Sequence, residues 1–534
     1  MILISQAIFD TQMKTTFAGY LQIQDDKIVA IGPLSALPVD EEVIDYGEQM
    51  IIPSFIDCHV HFFLSALLES GKITHLQGDS EEMFAQQVVD LPTIHGWKIG
   101  IGWFGSDFGQ MVYPTKASLD RYCRETPVLL IAGDAHSIWL NSSALEALGI
   151  TADNLPQGMS GEAIMEDGQL TGCFLEAVAI HYLAHILNVY QDEAPEAYIH
   201  YMHRLNALGI TTVGDVALTG ESWDDLVYPN IYQEVEDAAT IRAVFYPAMR
   251  SDMTALHEIE KTYHSEKVQM GGVKQFFDGV TSTHTAFLKE SYETPYYEGD
   301  IGAPLIPIEQ MRTLILSANQ QGWPMRIHTI GDQAIHQALG YFKESQQRYP
   351  LPPGKFNTLE HLEVMDPKDL SAINQEQLVL SVQPSHLLVG YDTLDEEVGI
   401  ERAKGMFPFR SFLDYGGKLA FGTDTPVVVG VTPLESIYYA VARREKSGVP
   451  VERLMPTEVL PIAEALYAHT KGAAQALSRQ DIGELRVGLK ADLCVLSQNI
   501  LECSEEEIFF FFFFDKMVDG EYVLYGLYNI VPLY

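Results

Sequence analysis

The chain has 534 residues, with 33 Lys and Arg against 73 Asp and Glu and a formal net charge of −40. Hydrophobic residues make up 47% of it and charged residues 20%, a globular composition that excludes a disordered or fibrous chain and needs no disulfides at this length. Such acidity repels phosphate backbones and anionic lipid surfaces, which leaves a small molecule, not nucleic acid or membrane, as the expected partner.

In chain order, the first residues carry neither a basic stretch nor a cleavage site, and no apolar run approaches the ~20 residues of a membrane span. Cys58, Cys123, Cys173, Cys494 and Cys503 are scattered without a CxxC pair, which fits a reduced compartment. A cytoplasmic location is therefore expected. Met1–Phe9, Ala18–Gln24, Lys27–Ile31, Val43–Tyr46 and Met50–Ile52 read as strands with no helical period. Asp481–Arg486, Asp492–Leu496 and Glu521–Tyr525 read the same way, and Phe509–Phe514 reads as a buried strand. The expected arrangement is one β-sandwich from both chain ends, residues 1–50 and 476–534.

The middle alternates strands with amphipathic helices. Ile51–Asp57, Thr211–Ala217, Ile241–Ala248, Gly272–Asp278, Pro324–His328, Phe356–Glu360, Leu378–Gln383 and Lys418–Gly422 read as strands. Eight such units predict an α/β fold, a (β/α)8 TIM barrel over residues 51–475. The stretch of about 75–187, with the strand-like Pro127–Ala132, is too long for one connection and reads as an inserted lobe after the first barrel strand.

Active sites of such barrels lie at the C-terminal ends of the strands. There the first strand ends in Asp57-Cys58-His59-Val60-His61, whose two histidines share one side of an extended chain. The fifth ends at His328, the sixth at His361 and the eighth at Asp424. Each alone has a bland reading, a packed imidazole or a helix cap. Together they suit zinc or a similar divalent ion. His386, at the seventh strand, is placed to hydrogen-bond an oxyanion, or else packs under a loop. His136 and Asn141 in the lobe, Trp103 and His284 are candidates for contact with substrate. Asn141 equally caps the helix Ser142–Leu148, and Trp103 equally belongs to a core.

Pro53-Ser54-Phe55-Ile56-Asp57-Cys58-His59-Val60-His61 resembles the PGxxDxHxH signature of the amidohydrolase superfamily, with Ser54 in place of Gly. Asp134–Ser142, Val273–Gly279, His328–Asp332, Glu360-His361, Gln383–His386, Gly422–Val427 and Gly483–Leu493 resemble its YtcJ-like branch, which includes formamide deformylases. The resemblance implies that Lys274, on the fourth strand, is carbamylated by CO2 and bridges two metals, with His59, His61, His328, His361 and Asp424 as the other ligands. The alternative for Lys274 is an ion pair with Asp278 or another carboxylate. The implied reaction is hydrolysis of a carbon–nitrogen bond in a non-peptide amide, formamide or cyclic amide. A metal ion lowers the pKa of its water towards ~7. Asp424 would act as general base and then acid, with His386 on the oxyanion. The same fold also hosts deaminases and phosphoester hydrolases, and a non-catalytic regulatory or binding module is the third expectation. The resemblance also implies a homodimer.

Overall fold

The structure is a computed structural model that describes residues 1–38, 42–108, 113–159, 161–220, 225–391, 393–450 and 452–525. The last part of the expected end domain, residues 526–534, lies outside them.

Parallel strands covered on both faces must be apolar throughout, and the central strands are buried along their whole length. They form two parallel arcs in sequence order. One arc holds Phe55–Val60, Ile210–Val216, Arg242–Tyr246 and the short Val268–Met270. The other holds Val273–Phe276, Met325–Thr329, Asn357–His361, Leu378–Val382 and Leu419–Phe421. Parallel bridges join the arcs at both seams, Val60 with Thr425 and Ala248 with Lys274. The ring therefore closes, and the C-terminal ends of its strands converge on one side.

One expected strand divides in two. Met50–Pro53 pairs with Leu493–Leu496 in the end sheet, and the ring strand begins only at Phe55. Ser54 is the break: its N–H donates to the Asp492 carbonyl at 3.1 Å, and its hydroxyl lies 2.6 Å from that of Thr211. The boundary between end sheet and ring thus falls a few residues later than the expected residue 51. Val268–Met270, three residues beside the third strand, carried no signal of its own.

Residues from both ends share one eight-stranded sheet, from Ile2–Asp10 to Glu521–Tyr525. Ile28 N–H donates to the Leu489 carbonyl and Ala491 N–H to that of Asp26, so the sheet curls back on itself. It encloses a core of Leu3, Ile8, Leu21, Leu493, Val495 and Met517. Two expected strands there do not form. Asp481–Arg486 is a run of bends, with Gly483 at φ +83° and Glu484 turned to Lys471. Phe509–Phe514 is not one buried strand, because the Ser504–Glu507 capping box starts a 3-10 turn over Glu505–Phe510. Phe510 is 75% exposed, and the strand begins at Phe513.

Between the first and second ring strands, residues 74–175 form a separate six-stranded sheet. Val128–Ala132 lies inside it, and the helix Glu176–Leu187 leads back to the ring. No helix among the described residues is long and apolar enough to cross a membrane.

Candidate active site

A cavity of about 560 Å³ opens at the C-terminal ends of the ring strands. His59, His61, His136, Lys274, His328, His361, Glu363, His386 and Asp424 all line it. The backbone holds the first and eighth strands in register there. Asp424 N–H donates to the His59 carbonyl at 2.8 Å, and His61 N–H to that of Thr425 at 2.9 Å. A Cβ on Gly422 would stand 2.6 Å from that of His59, so glycine is what lets the strands close up. The Asp57 carboxylate accepts both the N–H and the hydroxyl of Thr423, at 2.9 and 2.6 Å, and fixes the turn that carries Asp424. His361 and Asp424 sit at φ +72° and +58°, a costly conformation for non-glycine residues that concentrates at functional sites.

Each imidazole is aimed by a bond through one nitrogen. His59 Nδ1 lies 2.6 Å from Glu360 Oε2, and Glu360 is gripped by Arg326 at 2.8 and 3.1 Å. His61 Nδ1 donates to the Val216 carbonyl at 3.0 Å. His361 Nδ1 meets Gln383 Oε1 at 3.0 Å, and His328 Nε2 meets the Gly279 carbonyl at 3.2 Å. His386 Nδ1 meets Glu363 Oε1 at 3.0 Å. The remaining nitrogens gather on Asp424: Nε2 of His59 and His61 lie 3.2 and 3.0 Å from Oδ1, and Nε2 of His386 lies 3.4 Å from Oδ2.

Burial, ahead of the neighbouring cations, lowers His61 and holds His328 and His361 well below the usual imidazole range, so these rings are neutral, as metal ligands must be. Burial would raise the Asp424 carboxyl, but the His59 and His61 imidazoles outweigh it and hold the group well below the usual carboxylate range. The same balance, with Arg326 and then His59 as the counterweights, keeps Glu360 ionised. Burial lowers the Lys274 ammonium to about 8. For His386, the bond to Glu363 and the charge of Asp424 outweigh burial and raise the ring. For His136, burial is outweighed by Glu176, 2.8 Å away, and by Asp134, so the ring is pushed up to about 9.

The donor set fits a divalent cation on one observation. His59 Nε2, His386 Nε2 and Asp424 Oδ1 meet one another's groups only as ion pairs, and these atoms and Lys274 Nζ are buried without completing a hydrogen bond. Such atoms are expensive to bury unless something else meets them. His59, His361 and Asp424 each offer a ligand atom within 4.8 Å of the others, as do His361, Glu363 and His386. Lys274 lies 4.8 Å over the Phe276 ring. It makes no ion pair with Asp278, whose carboxylate instead accepts the N–H groups of Phe287, Ile330 and Gly331. Burial raises that Asp278 carboxyl to about 8.

Three expected substrate contacts lie elsewhere. Asn141 is the N-cap of Ser142–Leu148, accepting from Ala144 N–H and donating to the Cys123 and Thr126 carbonyls. All its polar atoms are used inside the lobe. Trp103 is lobe core, with its indole N–H donating to the Leu130 carbonyl at 3.1 Å, and its neighbour Phe104 faces the cavity instead. His284 is stacked between Tyr292 and Tyr296, with ring centroids 4.0 and 3.8 Å away, and is bound to Asp300. The sequence reading missed Arg326, Glu360, Glu363 and Glu176. Strand alternation was the available signal for two of them, since Arg326 stands two residues before His328 and Glu363 two after His361.

Nearly the whole chain is similar to known proteins. It is 28% identical over 522 residues to Protein LONG AFTER FAR-RED 3 of Arabidopsis thaliana, covering 93% of this chain and 87% of that one. It is 26% identical to the putative amidohydrolase YtcJ of Bacillus subtilis, covering 91% and 90%. Against the N-substituted formamide deformylase of Arthrobacter pascens the identity is 23%, covering 97% of each. Its fold matches a crystal structure of an uncharacterized metal-dependent hydrolase from Pyrococcus horikoshii with a TM-score of 0.73 at 23% identity, covering 95% and 99%. The profile of the amidohydrolase family matches residues 42–509, which span both the ring and its donor set. The chain belongs to the amidohydrolase family as a YtcJ-like member, and that membership implies a metal-dependent hydrolase with a divalent ion.

Proposed function

We propose that the chain hydrolyses the carbon–nitrogen bond of a small non-peptide amide, formamide or cyclic amide. The observation that carries this reading is the convergence of four buried polar atoms, from His59, Lys274, His386 and Asp424, that complete no hydrogen bond. The formamide deformylase relative supports the bond type. Zinc or a similar ion, two per chain, would be held by His59, His61, His328, His361, Asp424 and a carbamate on Lys274. Bound there, it supplies Lewis acidity and a water that ionises near neutral pH.

The chain's own groups do the rest. Lys274 must lose its proton before its nitrogen can bond to the carbon of CO2. With the ammonium lowered to about 8, about a tenth of it is neutral at pH 7. As the N–C bond forms, one C–O π bond opens and the nitrogen gives up a second proton to solvent, leaving a carbamate with the anionic oxygens that an ammonium lacks. Asp424 takes a proton from the attacking water on Oδ2 and passes it to the leaving nitrogen. His386, whose charged form Glu363 and Asp424 favour, donates Nε2–H to the carbonyl oxygen as negative charge develops there.

Metal content per chain, measured by plasma mass spectrometry on protein purified without chelators or a His-tag, tests the reading. About two equivalents are expected. Lys274→Ala should fall below two and lose activity, with partial rescue by short carboxylic acids. One equivalent in the native protein favours a deaminase. None after incubation with zinc and bicarbonate favours a binding module.

A further inference from the structure

A second cavity, of about 490 Å³, lies at the end of the ring away from the donor set and shares no lining residue with the first. Three segments distant in sequence build it. Thr11 and Lys14 come from the turn between Ile2–Asp10 and Thr15–Gln24 in the end sheet. Lys418 and Leu419 come from the start of the eighth ring strand, whose far end leads to Asp424. Glu464, Tyr467 and Lys471 come from the helix Ile462–Tyr467 and the π turn Ala468–Gly472 that continues it. A Cβ on Gly472 would stand 2.1 Å from the Leu419 carbonyl oxygen, so glycine lets this run close on the strand. Single π turns of this kind recur at functional sites.

The charges of this cavity do not balance. Lys14 pairs with Glu464 at 2.5 Å and lies 4.5 Å over the Tyr467 ring, and Lys471 pairs with Glu484. Lys418 is the third ammonium in the wall, and its Nζ donates only to the Gln375 carbonyl, at 2.9 Å. It forms no ion pair among the described residues, so three ammonium groups face two carboxylates in a chain whose net charge is −40. An ammonium has three N–H donors, and two of those on Lys418 are left over. Thr11 is 4% exposed, and its hydroxyl is buried without a hydrogen-bond partner. A buried hydroxyl with nothing to bond is costly unless a ligand meets it.

We infer that this cavity binds a small organic monocarboxylate, with Lys418 holding the carboxylate and the Thr11 hydroxyl bonded to the same molecule. One positive charge in excess matches a monoanion and not a phosphate dianion. The volume, and the apolar wall of Leu413, Leu419 and the Tyr467 ring, suit a short carbon chain beyond the charged group. The inference goes beyond the hydrolase reading and is independent of it, because the cavity uses nothing of the donor set.

The test uses levulinate, a short carboxylate with a second carbonyl, beside its neutral amide and inorganic phosphate. Dissociation constants for the zinc-loaded full-length protein are read by ligand-observed NMR. Saturating acetohydroxamate occupies the metal at the donor set, so that the second cavity alone reports. Wild type should bind levulinate roughly ten- to a hundredfold more tightly than the amide, and Lys418→Met should lose that margin. Lys418→Arg should keep most of it, and Thr11→Val should weaken levulinate roughly two- to tenfold. Lys418→Gln replaces the Met variant if circular dichroism shows that one unfolded. No binding of levulinate, equal binding of its amide, or an affinity that survives the loss of the Lys418 ammonium overturns the inference. Phosphate bound more tightly than levulinate overturns the carboxylate assignment.

Discussion

Two charged clusters in this molecule are built from similar residues to opposite ends. At the seam between ring and end sheet, Arg242 on the third ring strand meets Asp492 and Asp519, and Lys490 meets Asp26, Asp519 and Glu266. Asp26, Glu266 and Asp519 lie close enough to suggest a cation site, but the Lys490 ammonium already stands among them. At the other end of the ring, an ammonium, five imidazoles and a carboxylate leave four atoms without a completed hydrogen bond. The comparison teaches that the pairing of opposite charges, rather than their density, separates a structural cluster from a candidate site. Opposite charges that pair off hold two layers together. Imidazoles and an ammonium crowded around one carboxylate, with hydrogen bonds left incomplete, call for something from outside.

Breaking each cluster should therefore show in different quantities. The largest effect is expected from Asp424→Asn, which removes the proton carrier. In preparations that retain their metal, it should lower kcat by several orders of magnitude with an unfolding midpoint near wild type. Steady-state kinetics beside metal analysis decides it, and near-normal turnover would take Asp424 out of the mechanism. Arg242→Met should do the reverse. Leaving Asp492 buried without its partner should cost about 3–5 kcal/mol in denaturant unfolding, with kcat per folded molecule near wild type. A loss of activity without loss of stability would mean the two ends are not separable in this way.

A smaller effect sharpens the same contrast through pH. His469 lies between the Phe55 and Phe421 rings, with Nδ1 3.4 Å from the Ile56 carbonyl, and burial lowers it from 6.5 to about 4. A histidine whose pKa is depressed by folding stabilises the protein above its unfolded value and loses that contribution as pH falls. His469 should therefore cost stability between pH 6.5 and 4, on the order of 3 kcal/mol in total. Unfolding free energies at pH 7 and 4.5 for wild type and His469→Phe measure it. Equal differences in the two proteins would show that His469 does not contribute.

Much of the ring was legible because its strands are short, wholly apolar runs at regular spacing, a pattern that burial on both faces demands. The donor set was legible because ring strands end on one side, so that the position of a histidine along a strand is also its position in the site. Asn141, Trp103 and His284 show the limit. Each is the right residue type near the right segment, and each spends its polar atoms on partners that only the folded lobe supplies. Ile51–Asp57 shows a second limit, because an unbroken apolar run gives no sign that its two halves join different sheets.

The sequence by itself determined the α/β class, the order of the strands and the imidazoles and carboxylate at their ends, since these follow from hydrophobic spacing and side-chain chemistry. Tertiary structure alone decided which nitrogen of each imidazole is free and which carboxylates are consumed. It also brought His136 beside His328 across 192 residues of chain. Those are matters of contacts between segments distant in sequence, and no local pattern encodes them.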